Sequence, residues 1–119
     1  MTVPRSILIV EDEPLIAMML EDFLESLDYC VHATCENVTD ALRQVEGGGF
    51  DLAILDVNLN GETAWPVAHK LREKQIPFVI ATGGHVEPPP AEFANVPVIE
   101  KPYTADRVTP ALEAALPAA

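Results

Sequence analysis

Basic residues are scarce in this chain: seven Lys and Arg stand against nineteen Asp and Glu, a formal charge of −12 over 119 residues. Nucleic-acid binding needs clustered cations that displace counterions from phosphates, so this balance argues against it. The same shortage disfavours docking on an anionic membrane surface. Long apolar runs are missing too. The longest, Leu15 to Leu20, is about six residues, against the roughly eighteen that span a bilayer. The first ten residues carry one Arg and no long apolar stretch, which argues against a secretory signal. Only two cysteines occur, Cys30 and Cys35. Their odd separation within a strand and its exit points them to opposite faces, so a mutual disulfide is awkward and reduced thiols in the cytoplasm are expected. There is no repeat, no low-complexity tract and no GxGxxG after a strand. What remains, 49% hydrophobic and 22% charged residues, is a foldable composition for one domain over residues 1–119.

Apolar segments alternate between two periods along the whole length. The run Ile7-Leu8-Ile9-Val10 stops at Glu11-Asp12-Glu13 and reads as a strand buried on both faces. Pro14 suits the first turn of a helix carrying Ile16, Leu20, Phe23, Leu24 and Leu27. Tyr29 to Ala33 is a second strand, and Val38, Ala41, Leu42 and Val45 mark a second helix stopped by Gly47-Gly48-Gly49. Leu52-Ala53-Ile54-Leu55 is a third strand ended by Asp56, with Asn58 to Gly61 as a loop. A third helix holds Ala64, Ala68 and Leu71, with Pro66 in its first turn. Phe78 to Ala81 is a fourth strand and Val96 to Ile99 a fifth. A last helix lies between Thr104 and Pro117, with Pro110 set to kink it or delay its start. Strands alternating with helices predict an α/β fold whose parallel sheet is covered on both faces. Between strands four and five, Pro88-Pro89-Pro90 forbids a regular helix, so any helix there is short, uses Ala91 to Asn95, and belongs to the least stable part of the fold.

In open parallel sheets ligands bind beyond the carboxyl ends of the strands. Here those ends carry Glu11 and Asp12, Asp56, Thr82 and Lys101. Two carboxylates about 4 Å apart repel by roughly 4 kcal/mol at an effective dielectric near 20. Three together need a counter-charge or must bind protons, and one lysine is too little. Oxygen ligands without His or Cys favour Mg²⁺ or Mn²⁺ over Zn²⁺. An aspartate beside such a cation, a hydroxyl and an ammonium is equipped to attack phosphorus while the equatorial oxygens are neutralised.

Four segments carry a resemblance over essentially the whole chain: Ile7 to Pro14 (ILIVEDEP), Ile54 to Leu59 (ILDVNL), Ala81-Thr82-Gly83 and Glu100-Lys101-Pro102-Tyr103. In order and separation they resemble the receiver domains of bacterial two-component response regulators. The resemblance implies a doubly wound, flavodoxin- and CheY-like sheet of order 2-1-3-4-5, helices on both faces, and a fourth helix that is short or disordered. It implies Asp56 as phosphoacceptor, Asp12 as a direct Mg²⁺ ligand, Glu11 acting mainly through a water, and Asn58 offering its backbone carbonyl. Thr82 and Lys101 would hold the phosphoryl oxygens. The partners implied are a sensor histidine kinase or histidine phosphotransfer protein and a downstream protein. Such a domain is a phosphoacceptor switch that assists its own phosphorylation and dephosphorylation, not an enzyme with a separate substrate.

Pro77 to Gly83 (PFVIATG), with Asp56 to Glu62 and Pro66, resembles the FATGUY subgroup, whose members are often single-domain regulators paired with unusual sensor kinases of alphaproteobacteria. Ile80 replaces the usual Phe, and Gly84-His85 stands where an aromatic often follows. Most receivers also carry Tyr or Phe three residues before the lysine, and this chain has Val98. The familiar coupling of a moving Thr to a turning aromatic cannot operate unchanged. The expectation is that phosphorylation orders Gly83 to Asn95 instead. Tyr103 is read as a packing residue.

With the chain ending after the last helix, output is expected through protein contacts or onward phosphotransfer, a phosphate sink being the variant. An aspartyl-nucleophile phosphohydrolase uses the same groups, but needs an acid/base two residues after its nucleophile, where Asn58 stands. A flavodoxin-like electron carrier needs a hydroxyl- and Gly-rich phosphate loop after the first strand, where this chain has Glu-Asp-Glu. His32, His69 and His85 show no ligand spacing, and Trp65 is read as packing or facing a partner.

Overall fold

The run of four aliphatic residues before Glu11 forms β1 (Ser6–Val10), the middle of the sheet's first half, in a computed structural model that describes residues 5–59, 61–83, 90–101 and 103–116. Around it run α1 (Pro14–Ser26), β2 (Cys30–Cys35), α2 (Val38–Gly47), β3 (Leu52–Asp56), a small hairpin of β4 (Asn58–Leu59) and β5 (Glu62–Thr63), α3 (Trp65–Glu73), β6 (Phe78–Thr82), β7 (Val98–Glu100) and α4 (Ala105–Ala115). The main sheet is parallel throughout, in the order β2-β1-β3-β6-β7. This is the predicted doubly wound order, with the hairpin as an addition.

Strand alternation sorts the core into two layers. Ile7, Ile9, Leu52, Ile54, Val79 and Ala81 face α1 and α4, meeting Leu20, Leu24, Val108 and Leu112. Leu8, Val10, Ala53, Leu55, Phe78 and Ile80 face α2 and α3, meeting Val38, Val45, Val67 and Leu71. Both faces are covered, which is why the strands read as unbroken apolar runs.

Local chemistry explains the element ends. Pro14 and Pro66 occupy first helical turns, where a missing N–H costs no hydrogen bond. Asn37 caps α2 by accepting the Asp40 N–H at 2.8 Å. Gly48 then turns to φ 66°, a left-handed conformation open to glycine. The second strand begins and ends later than Tyr29 to Ala33, because the β1–β2 register slips by one residue after Ile7 and Val31. That extra residue puts Cys30 opposite Ser6 and Cys35 opposite Val10, positions of equal parity, so the cysteines share a face rather than opposing each other. They remain free thiols, one exposed and one buried, separated by roughly 13 Å of strand. Burial and the nearby Asp40 push the Cys35 thiol up to about 11. The loop expected at Asn58 to Gly61 includes strand β4, which pairs with β5 across a turn where Gly61 has φ 86°. α4 runs through Pro110, forgoing one interior hydrogen bond instead of starting after it.

Between β6 and β7 the described part of the connection is a single 3₁₀ turn, Ala91–Phe93, in line with a shortened fourth helix; residues 84–89 of the expected unstable segment lie outside the described residues. Phe93 anchors this turn. It is fully buried, stacks on Trp65 (5.7 Å, 14°), meets Phe78 and His69 edge-on, and lies under the Arg72 guanidinium at 4.8 Å. Arg72 also donates to the Glu92 carbonyl and His69 pairs with the Glu92 carboxylate. Removing that ring leaves a large void beneath α3. Phe93→Ala should lower unfolding free energy by about 3–5 kcal/mol in urea titration, whereas loss below about 1 kcal/mol would mean the turn is not anchored by Phe93.

Candidate functional site

β1, β3, β6 and β7 all end on the same edge of the sheet. The register explains why: Val10 lies opposite Leu55, Asp56 opposite Ala81, and Thr82 opposite Glu100. The residues just after or at these ends, Glu11, Asp12, Asp56, Thr82 and Lys101, are thereby delivered to one place. Glu11, Asp12 and Asp56 each offer a carboxylate oxygen within 4.8 Å of the others. Glu11 is 0% exposed and Asp56 6% exposed, an uncommon position for acids without a counter-charge.

Lys101 supplies part of that charge. Its Nζ lies 2.8 Å from Glu11 Oε2 and 2.8 Å from Asp56 Oδ2, an ammonium shared between two acids. The lysine is placed by its own backbone, whose N–H donates to the Thr82 carbonyl at 2.8 Å. Burial by itself would lower the ammonium's pKa; the hydrogen bonds to Asp56 and Glu11, and their charges, outweigh it and hold it above its ordinary value. Glu11 moves the other way. Burial, chiefly, and the Asp56 charge raise it from 4.5 to about 7, against the opposing pull of Lys101. Burial and the neighbouring Asp56 thus outweigh the single ammonium at Glu11.

Backbone donors complete the cluster. The Asn58 N–H donates to Asp56 Oδ1 and the Glu13 N–H to Glu11 Oε1, both at 3.3 Å. Asn58 is held there by the hairpin, whose base closes through Ala64 N–H to the Val57 carbonyl at 2.8 Å. Thr82 ends β6 beside Asp56, half-buried. Glu11, Asp12, Asp56 and Lys101 thus border one site, and Thr82 lies at the strand end next to it. Tyr103 joins them. Expected only to pack, it is 2% exposed and its hydroxyl donates to Glu11 Oε2 at 3.3 Å. Burial, then the charges of Glu11 and Asp56, raise its pKa, so it remains a donor. Its place two residues after Lys101 is compatible with packing or with facing the site, so spacing gave no signal to separate them.

Three oxygen donors of this kind, one of them with its pKa raised chiefly by burial, fit a hard divalent cation such as Mg²⁺. A model of the response regulator receiver domain matches residues 7–113. Among curated proteins, VanR of Enterococcus faecium is 35% identical over 68% of this chain, and the sensory transduction protein LytR of Staphylococcus haemolyticus is 30% identical over 88%. The chain spans 35% and 43% of their respective lengths. Among solved structures, SdrG from Sphingomonas melonis Fr1 is 54% identical with a TM-score of 0.86, covering 97% of this chain and 98% of that one. A BeF3-activated conformation of SdrG from Pseudomonas melonis Fr1 gives 53% and 0.79, covering 96% and 98%. PhyR from Brucella abortus is 28% identical with a TM-score of 0.79, over 96% of this chain and 48% of that one.

The raised Glu11 pKa has a consequence for stability. Between about pH 4.5 and about pH 7 the folded protein keeps a proton on Glu11 that the unfolded chain has lost. Stability of metal-free protein should therefore fall as pH rises through that window and level off above it. In urea titrations from about pH 5 to about pH 8, Glu11→Gln should remove this component of the decline. Parallel profiles for the variant and the wild type would contradict it.

Proposed function

This chain belongs to the response-regulator receiver family, and from that footing we propose that it is a stand-alone response regulator. It accepts a phosphoryl group from a histidine kinase or histidine phosphotransfer protein onto Asp56, in a Mg²⁺-dependent reaction, and signals by protein contact or onward phosphotransfer. The observation that carries this reading is the Lys101 ammonium bridging Glu11 and Asp56 beside Asp12. The stand-alone part is supported by the match to SdrG, which spans nearly all of that solved chain.

Asp12, Asp56 and the Asn58 backbone carbonyl would hold the cation, with Glu11 contributing through a water. When bound, the cation supplies the positive charge that three carboxylates lack and neutralises phosphoryl oxygens. The rest of the work falls to side chains of this chain. An Asp56 carboxylate oxygen attacks the phosphorus of a phosphohistidine, the P–O bond forms, the P–N bond breaks, and the imidazole nitrogen keeps the electron pair. Lys101 moves its ammonium from Asp56 Oδ2 toward a phosphoryl oxygen, and the Thr82 hydroxyl donates to another. Asn58 at the second position after Asp56 provides no carboxyl to activate water, which favours a persistent acyl phosphate over phosphohydrolase turnover.

The donor must approach this edge of the sheet. Just beyond Glu11 and Asp12, the first turns of α1 leave Leu15 (77% exposed), Met18 and Met19 in solvent. That apolar stripe next to the acceptor suits a protein donor, and its flexible methionines suit an adaptable contact. Downstream, Val98 lies exposed on β7 and offers no ring to turn inward, so the change on phosphorylation falls on residues 83–95.

Acetyl phosphate with Mg²⁺ should label the wild type, and Asp56→Asn should reduce labelling at least about a hundredfold. Equal labelling of both would place the acceptor elsewhere. Met18→Glu should slow transfer from a phosphorylated cognate kinase roughly tenfold while leaving acetyl phosphate labelling unchanged; unimpaired transfer from the kinase would remove α1 from the docking surface. Beryllofluoride should slow hydrogen exchange in peptides spanning 83–95, and unchanged exchange there would refute ordering of that segment as the switch.

A further inference from the structure

Glu11 divides its hydrogen bonds unevenly. Oε1 accepts the Glu13 N–H at 3.3 Å, while Oε2 accepts both the Lys101 ammonium at 2.8 Å and the Tyr103 hydroxyl at 3.3 Å. Lys101 is the stronger of the two donors on Oε2, but it is shared with Asp56 and is the group that phosphorylation draws away. Tyr103 has no such second task. Its ring is packed between the sheet and α4, among Ile99, Val108 and Leu112, with the Lys101 ammonium 5.9 Å from the ring centre, and its hydroxyl reaches Glu11. A phenylalanine would fill the same apolar space, so packing alone leaves the hydroxyl unexplained.

We infer that Tyr103 is a positioning residue for the cation site: its hydroxyl tethers Glu11 Oε2 from the core side and keeps that carboxylate aligned both while the Lys101 ammonium is divided between Glu11 and Asp56 and after it leaves for the phosphoryl group. The inference rests on the reading of this edge as a Mg²⁺-dependent acceptor site. The physical basis is the cost of a fully buried carboxylate oxygen that loses its donor. With no hydroxyl at position 103, Oε2 depends on an ammonium that Asp56 shares and a phosphoryl group draws away, so the Glu11 carboxylate is free to turn from the orientation that serves the cation. With the tether in place, one oxygen is fixed and the carboxylate plane is fixed with it.

Calorimetric titration with Mg²⁺ alone, without a phosphodonor, tests this on the whole chain. Tyr103→Phe should weaken Mg²⁺ binding about fivefold to tenfold relative to wild type. In acetyl phosphate labelling the half-saturating Mg²⁺ concentration should rise by a similar factor, with the rate at saturating Mg²⁺ little changed. In a Glu11→Gln background, Tyr103→Phe should add no further loss. Equal Mg²⁺ affinity in the variant and wild type, or the same penalty in both backgrounds, would overturn the inference and return Tyr103 to packing. A second measurement needs no variant at position 103. The ζ-carbon resonance of Tyr103, one of two tyrosines, should shift on Mg²⁺ addition in wild type and stay still in Glu11→Gln. An unmoved resonance in Mg²⁺-bound wild type would also overturn it. Wild type that binds no Mg²⁺ would instead defeat the functional reading on which it rests.

Discussion

A single ammonium set between two buried carboxylates is the constraint on which this molecule turns. Lys101 reaches Glu11 and Asp56 at equal distance, and Asp12 adds a third acid to the same edge. Burying an acid without a counter-charge is costly, and the cost is met here by pairing, by a retained proton on Glu11, and by donors from Asn58 and Tyr103. None of these adds a second positive charge. Three carboxylates around one ammonium form an oxygen-rich edge of the kind that could bind a metal ion. A salt bridge that fully neutralised the acids would be more stable and would have less reason to bind one.

The sheet exists to hold that imbalance in place. Parallel pairing lines up the ends of β1, β3 and β6, so residues 11, 56 and 82 meet despite wide separations in sequence. Both faces of the sheet are sealed, one by α1 and α4, the other by α2 and α3. The acids therefore face a narrow rim between apolar layers, where solvent screens them poorly. The hairpin after Asp56 adds stiffness at the point where the chain would otherwise leave as a free loop, and its Asn58 N–H bonds the Asp56 carboxylate.

Much of this was legible in the chain itself, because strands buried on both faces announce themselves as apolar runs and end abruptly at charged residues. Ile7 to Glu11 and Leu52 to Asp56 are of that kind, and the structure has strands there that end at these acids. The expected boundaries moved where tertiary pairing took over. The extra residue in β2 that brings Cys30 and Cys35 onto one face follows from pairing with β1, and no local pattern marks it. The β4 and β5 strands are two residues each, too short for any period to show. Tyr103 was hidden for a different reason: an aromatic residue before a helix satisfies a packing pattern whether or not its hydroxyl has a partner.

Phe93 holds the described part of the connection between β6 and β7. Among the described residues of that connection the 3₁₀ turn Ala91–Phe93 leads back to β7, and its one fully buried large side chain is Phe93. That ring is clasped by Trp65 and by Arg72 of α3, and Trp65 opens the same helix that follows the Asp56 hairpin. The helix that follows the Asp56 hairpin and the turn before β7 therefore meet at a single aromatic stack. Val98 cannot relay a change through β7 in the manner of an inward-turning ring. The Trp65–Phe93 stack, with Arg72 over the same ring, instead ties the start of α3 to the turn that precedes β7.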